Sequence, residues 1–228
     1  MKLLALDTAT EACSAALVLD GRVAERYAVP GRGHAERLLP MVDELLAEAG
    51  IGLAALDGIA FGRGPGAFTG VRIAVAVAQG LALGAGLPVV PVSNLAALAR
   101  GALDDAAEPV AVPCLDARMG EVYWAEARAR PDGGVDLLAE GLAVPAGVAP
   151  GATRFVGAGH GWSAYPELVA RFGDRAVAVR AELLPRAAWV GRLGALALAA
   201  GGGLDPAQAA PVYLRDEVAT RSGRTPAA

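Results

Sequence analysis

Residues 2–29 read KLLALDTATEACSAALVLDGRVAERYAV and contain three consecutive strand signals. The apolar run at residues 2–7 predicts a buried strand, and residues 12–19 predict a second one. Asp20-Gly21 is a typical two-residue hairpin turn, so residues 22–29 are expected to return antiparallel as a third strand. The chain is therefore expected to begin with a three-strand antiparallel meander.

Helices and strands are predicted to alternate after this meander. Apolar residues at helical spacing predict a helix over 35–49, with Gly50 as its C-cap. Further strands are predicted at 57–62 and 88–92, and further helices at about 71–85 and at 94–102. Three antiparallel strands followed by alternating elements match the ribonuclease H-like unit of actin-type folds.

The second half repeats this plan. Leu6-Asp7 and Leu115-Asp116 each end the first apolar strand of their half. Strands are predicted at 110–116, 121–128, 135–140, 153–157 and 176–179, and helices at about 162–172 and 187–200. We expect an α/β protein with the two-lobe actin-like, Hsp70-like ATPase fold, built from duplicated βββαβαβα units. The lobes are predicted at 1–105 and 106–208, followed by a C-terminal segment, 209–228, with an extended run at 211–215 and a disordered tail from Arg221.

Composition narrows the class of function. Hydrophobic residues make up 54% of the chain, charged residues 19%, and the net charge is −4. This charge argues against a large nucleic-acid surface, and the dispersed Arg215, Arg221 and Arg224 are expected to lie at a solvated end. Cys13 and Cys114 lie in apolar runs and are predicted to be buried reduced thiols, which fits a cytoplasmic protein.

Residues 73–92 form the longest apolar segment. About 20 apolar residues can span a bilayer, but glycines and prolines interrupt this run. A helix followed by a strand explains it better, so we expect no membrane association.

Motifs of common catalytic sites are missing. The sequence has no P-loop, no His-Glu-x-x-His, no Gly-x-Ser-x-Gly and no repeated Cys-x-x-Cys. Its two histidines, His34 and His160, fall in different predicted lobes, so no metal site is expected. Asp7, Thr8 and Asp116 are the candidates for a nucleotide site, because such aspartates face the cleft of actin-type folds. The alternative is that both aspartates cap turns at strand ends.

Residues 62–70, GRGPGAFTG, form a glycine-rich turn between a strand and a helix. Its amides could bind an anion. Alternatively, Gly64, Gly66 and Gly70 let a strand turn sharply into a closely packed helix. The turn has no lysine, and we favour packing.

The helix at 71–85 is apolar on nearly all sides. One side can cover its own sheet, and the other then needs a second lobe or another protein, of which we prefer the protein. Together with the 35–49 helix, it could form half of a four-helix interface. The interface candidates are His34, Leu38, Leu39, Val42, Leu45, Leu46, Val71, Ala74, Val75, Ala78 and Ala82.

Four runs together resemble the TsaB (YeaZ) family. They read LDTAT at 6–10, HAERLLP at 34–40, GPGAFTGVR at 64–72 and PVYLR at 211–215. The resemblance implies a paralogue of TsaD, the subunit that transfers a threonylcarbamoyl group to adenosine 37 of tRNA. It implies a non-catalytic scaffold with an incomplete catalytic site and no cofactor. Such a scaffold pairs with TsaD through its two N-terminal helices, is joined by the ATPase TsaE, meets tRNA only in the complex, and forms a homodimer when alone.

One departure concerns the metal motif of TsaD-like proteins, His-x-x-x-His on the matching helix. Here His34 is followed four residues later by Leu38. The rival hypothesis is an enzyme, a nucleotide-dependent phosphotransferase of the sugar-kinase type with Asp7 and Asp116 in its cleft. The lack of convincing phosphate loops in both halves disfavours it.

Overall fold

The computed structural model describes residues 1–31 and 33–215. The predicted tail from Arg221, including Arg224, lies outside the described residues.

The first sheet begins with the predicted meander. β1 (Lys2–Asp7), β2 (Cys13–Leu19) and β3 (Arg22–Ala28) pair antiparallel. Asp20 and Gly21 both have positive φ, as the hairpin turn requires. β4 (Gly58–Gly62) and β5 (Val89–Val92) extend the sheet parallel to β1, in the order β3-β2-β1-β4-β5. The three-strand prediction is confirmed.

The second sheet has the same topology. Its strands are β6 (Val110–Arg118), β7 (Glu121–Ala129), β8 (Val135–Ala143), β9 (Phe155–Ala158) and β10 (Ala176–Arg180). Their order is β8-β7-β6-β9-β10, so β6 takes the central place that β1 holds in the first sheet. The duplicated two-lobe architecture is confirmed.

Helices α1 (His34–Ala49) and α2 (Phe68–Ala85) cover one face of the first sheet. Alternate residues of β1 separate the two faces: Leu4 and Leu6 lie under α1 and α2, while Leu3 and Ala5 join the core on the other face. α1 ends at Gly50, whose φ of 64° forms the predicted C-cap.

Two helices lie between the sheets and exchange lobes. α3 (Asn94–Leu103) comes from the first half but packs on β6, β7, β8 and β9 of the second sheet. α6 (Ala187–Ala199) comes from the second half but packs on the first sheet. The predicted boundary after residue 105 thus falls between α3 and β6, while the packing crosses it and joins both sheets through one apolar core.

Two predicted helices differ from the structure. The 162–172 segment forms two short helices, α4 (Gly161–Ala164) and α5 (Pro166–Phe172). Pro166 lacks an N–H to continue α4, so it starts a new helix instead. α2 begins three residues earlier than predicted, at Phe68, so residues 68–70 of the glycine-rich turn already form the start of the helix.

By length and composition α2 could cross a membrane. In the structure it packs on the first sheet, and its buried side chains belong to the core of this lobe. Five interface candidates are corrected here, because their side chains are buried against the first sheet and are not exposed to a partner. They are Val71, Ala74, Val75, Ala78 and Ala82.

A close contact between α3 and α6 yields a stability prediction. A Cβ added at Gly101 would lie 2.1 Å from the ring of Trp189. Gly101→Ala should lower the free energy of unfolding by about 1–3 kcal/mol through overpacking. The matched control is Gly52→Ala, an exposed position of extended backbone where an added Cβ meets nothing within 4 Å; it should raise this free energy by about 0.4–1 kcal/mol. Urea unfolding of both variants checks the pair, and equal effects would contradict it.

Candidate functional site

A cleft of about 770 Å³ lies between the lobes, where β1 and β6 end. Its walls are the β1–β2 loop, the first turns of α1 and α2, the glycine-rich turn and the β6–β7 turn. This is the place where ligands bind in open α/β sheets, at the carboxyl ends of the strands.

Asp7 does not line this cleft. Its side chain is fully buried, accepting a hydrogen bond from the Ala9 amide at 3.1 Å and another from Asn94 Nδ2. Burial raises the pKa of Asp7 to about 7, against the opposing effect of these two hydrogen bonds. Gly62 lies so close that an added Cβ would be 2.1 Å from the carboxylate. These contacts favour the structural reading of Asp7 over the nucleotide reading.

Thr8 and the glycine-rich turn are joined by close packing. Thr8 Oγ1 donates to the Gly70 carbonyl at 2.7 Å, and the Ala67 amide donates to the Ala9 carbonyl at 2.7 Å. A Cβ at Gly70 would lie 2.0 Å from the Thr8 carbonyl oxygen, and a Cβ at Gly66 2.4 Å from that of Ala9. The turn needs glycine because backbone meets backbone there, which is the packing explanation.

Gly64 serves the same purpose on the other side of the turn. Its φ is 104°, and an added Cβ would lie 2.7 Å from the Val212 carbonyl oxygen. Its amide donates to Asn94 Oδ1 at 2.7 Å. The turn is therefore enclosed between the β1–β2 loop and the C-terminal segment.

Asp116 lines the cleft, but its oxygens are engaged in local bonds. Oδ1 accepts from the Arg118 amide at 2.8 Å and from the Tyr165 hydroxyl at 3.0 Å, and Oδ2 accepts from the Arg118 guanidinium at 3.0 Å. Arg118 and Met119 both have positive φ. Asp116 thus caps the β6–β7 turn, as the turn-capping alternative predicts.

The two histidines lie at the cleft and do not meet. His34 Nε2 donates to the Thr10 carbonyl at 3.0 Å. His160 Nδ1 accepts from the Asp116 amide at 3.0 Å, so its proton is on Nε2, which lies 3.8 Å from Glu11. Burial lowers the pKa of His160, although Glu11 and Asp116 oppose this. In residues 1–31 and 33–215, no group of three or more His, Cys, Asp or Glu side chains is placed to hold a metal ion.

Sequence reasoning missed the cleft residues Tyr213 and Arg215. Arg215 was expected at a solvated end, but its side chain is only 15% exposed and pairs with Glu121 at 2.6 Å. It also donates to the Ala117 carbonyl at 3.1 Å. The one signal was the short PVYLR run itself, whose aromatic and apolar residues are unusual for a solvated end.

The interface candidates of α1 include both exposed and buried residues, unlike those of α2, which are all buried. Leu39 is 44% exposed, whereas Leu38, Val42, Leu45 and Leu46 are buried on the first sheet. On α2 the exposed side carries small and apolar residues around one arginine. Beyond the first turn, its exposed residues are Arg72, Ala76, Gly80, Leu83 and Gly84.

Comparisons with known proteins agree with this geometry. The sequence profile described as "TsaD: tRNA N6-adenosine threonylcarbamoyltransferase" matches residues 28–224. The tRNA threonylcarbamoyladenosine biosynthesis protein TsaB of Escherichia coli K12 is 39% identical, with 96% of each chain covered. TsaB of Haemophilus influenzae is 38% identical over 96% of this chain and 95% of its own.

Two solved structures from Pseudomonas aeruginosa share the fold. One, described as similar to the peptidase YeaZ, is 48% identical with a TM-score of 0.87 over 94% of this chain and 99% of its own. The other, described as YeaZ, is 48% identical with a TM-score of 0.86 over 93% of this chain and 99% of its own. This chain thus belongs to the TsaB (YeaZ) family of tRNA threonylcarbamoyladenosine biosynthesis proteins, which shares the TsaD-like fold.

Proposed function

We propose that this protein serves threonylcarbamoyladenosine synthesis as a non-catalytic scaffold. It pairs with a TsaD transferase through the exposed faces of α1 and α2, and the ATPase TsaE joins the pair. It meets tRNA only in this complex, works in the cytoplasm and forms a homodimer through the same face when alone.

The observation that carries the proposal is the exposed face of α2. Leu83 is 59% exposed, and its neighbours Ala76, Gly80 and Gly84 leave the helix backbone bare. A contiguous apolar face on a monomer is typical of an interaction site. Small residues permit a second helix to pack at short interaxial distance. The one charged residue on this face, Arg72, donates to the Tyr213 hydroxyl at 2.7 Å.

α1 extends this surface on one side. Glu44 and Glu48 pair with Arg26 of β3 at 2.9 and 2.5 Å, which places them on the β3 side of the helix. Leu39 precedes Glu44 by five residues and therefore points about 140° away from it, at about 100° per residue. The exposed Leu39 thus lies away from β3, where it can continue the apolar face of α2.

The cleft supports a scaffold better than a phosphotransferase. A kinase of this fold needs free carboxylates for a metal-bound phosphate. Here Asp7 is buried against Asn94, and Asp116 is held by Arg118 and Tyr165. Calorimetry with ATP and Mg²⁺ separates the two hypotheses, since tight binding by the isolated chain would favour the phosphotransferase.

The pairing is tested by measuring masses in solution. The purified chain alone and mixed with TsaD of the same organism would be passed over a size-exclusion column with light scattering. We expect a homodimer alone and a one-to-one complex in the mixture. A chain that stays monomeric and elutes apart from TsaD would refute the scaffold.

A further inference from the structure

The C-terminal segment crosses from the first lobe to the second along one side of the cleft. Just before this segment, Leu204 and Val89 exchange two backbone hydrogen bonds of 2.9 and 2.8 Å. Further along, the Val212 amide donates to the Arg63 carbonyl at 2.7 Å, beside the glycine-rich turn. The segment is thus fastened to the first lobe before it reaches the cleft, where Tyr213 and Arg215 form part of the wall.

Tyr213 ties this segment to the first turns of α2. Its hydroxyl accepts from Arg72 Nε at 2.7 Å, and its ring centroid lies 5.8 Å from that of Phe68. The Arg72 guanidinium also lies 3.5 Å from the Phe68 ring centroid. Arg72 is therefore shared between an aromatic ring of α2 and the hydroxyl of the segment.

Arg215 ties the same segment to the β6–β7 turn. It donates to the carbonyls of Ala117 and Arg118 at 3.1 and 3.4 Å and pairs with Glu121 at 2.6 Å. In this turn Arg118 and Met119 have φ values of 64° and 58°, which side-chain-bearing residues rarely adopt. Such conformations persist only where surrounding contacts hold them.

We propose that Tyr213 and Arg215 form one clasp, which couples the first turns of α2 to the β6–β7 turn across the cleft. Only Leu214 separates the two residues, so displacement of one moves the other. The Tyr213 hydroxyl bonds only to α2, and the bonds to the β6–β7 turn come from Arg215. Loss of the Arg72–Tyr213 bond should nevertheless loosen the turn, because it displaces Arg215. The clasp links the helix that carries the exposed apolar face to the second lobe, and it stands whether or not that face binds TsaD.

The test is amide hydrogen exchange of the full chain, followed by mass spectrometry. Tyr213→Phe keeps the ring and removes the hydroxyl, and Arg215→Gln removes the ion pair. We expect Arg215→Gln to speed exchange at residues 117–121 roughly tenfold, the factor that matches one lost charge-assisted hydrogen bond. Tyr213→Phe should speed exchange in the same residues. The rate increase in the double variant should be smaller than the product of the increases in the two single variants.

The matched control is Arg154→Gln, which breaks the exposed pair of Arg154 with Glu108, 2.9 Å apart in the second lobe. It should leave exchange at 117–121 unchanged. If Tyr213→Phe leaves the turn as protected as in the unmutated chain, Arg215 is a local brace and the clasp is refuted. The clasp is also refuted if the rate increases of the two single variants multiply in the double variant. If Arg215→Gln does not fold, Glu121→Gln replaces it, with the same expected results.

Discussion

Gly80→Arg should give a folded chain that neither self-associates nor binds TsaD, whereas Ala78→Arg should destabilise the fold itself. An added Cβ at Gly80 meets nothing within 4 Å, so the arginine extends into solvent when the chain is free. Ala78 is fully buried against the first sheet. A guanidinium there would be desolvated without a partner, which should cost about 3 kcal/mol or more.

Light scattering and circular dichroism separate these outcomes. Gly80→Arg should keep the helical spectrum and should not lower the free energy of unfolding of the monomer, since arginine is a better helix former than glycine by up to about 1 kcal/mol. Ala170→Arg, at an exposed position of α5, is the control for an added surface charge and should change neither pairing nor stability. A Gly80→Arg chain that still pairs with TsaD would remove α2 from the interface.

Cells that depend on the Gly80→Arg chain should lack threonylcarbamoyladenosine on their tRNAs. The control chain with Ala170→Arg should restore it. This readout connects the face of α2 to the role of the family, and normal modification in Gly80→Arg cells would contradict that connection.

The meander was predictable because its signals are local. The apolar runs of β1 and β2 and the Asp20-Gly21 turn lie within one short stretch and need no distant contact. The matching Leu-Asp pairs near the ends of β1 and β6 indicated the duplication. The helix break at Pro166 could have been predicted, since proline cannot continue a helix. The apolar periodicity on both sides of Pro166 predicted one continuous helix instead.

The exchange of α3 and α6 between lobes was not predictable. Both helices are apolar on several sides, and nothing within ten to thirteen residues encodes which sheet they cover. The choice depends on contacts such as that between Gly101 and Trp189, which are far apart in the chain. The sequence of α2 has two apolar sides. Only the tertiary structure shows that Ala78 is buried against the first sheet and that Gly80 faces solvent.

The sequence predicted where the candidate site lies, but not which of its side chains are buried or what they bond to. That β1 and β6 end together at a cleft follows from the duplicated topology. The burial of Asp7 depends on Asn94, which is 87 residues away, and the bonds of Arg215 depend on a turn 97 residues away. Neither partner carries a local signal, so the sequence left the role of Asp7 open between ligand binding and turn capping.

Asp7 should therefore show its structural role as a pH dependence of stability. Burial raises its pKa from 3.8 in the unfolded chain to about 7 in the folded one. Between these values the native state keeps a proton that the unfolded state has released, so the free energy of unfolding falls as the pH rises. A shift of about three units corresponds to about 4 kcal/mol lost between pH 4 and pH 8.

Asp7→Asn should remove this contribution. The amide oxygen can still accept from the Ala9 amide, but the amide nitrogen faces the Nδ2 donor of Asn94, so one hydrogen bond is lost. At pH 5 the variant should be less stable than the unmutated chain by about 1 kcal/mol. The unmutated chain should lose about 3 kcal/mol between pH 5 and pH 8, because only it must then bury a carboxylate. The difference should therefore reverse, leaving Asp7→Asn the more stable chain at pH 8. Urea unfolding at both pH values measures it.

Asp57→Asn is the control, since Asp57 is an exposed carboxylate that accepts from the Lys2 amide at 2.7 Å. It removes a carboxylate that is not buried, so comparison of the two variants isolates the effect of burying Asp7. Parallel pH profiles for Asp7→Asn and the unmutated chain would contradict the buried-acid assignment. The Asp7→Asn chain should also bind TsaD with unchanged affinity, because Asp7 lies beneath the cleft wall and away from the exposed face of α2. If it folds and pairs normally but the complex no longer modifies tRNA, Asp7 acts in the chemistry and the structural role is refuted.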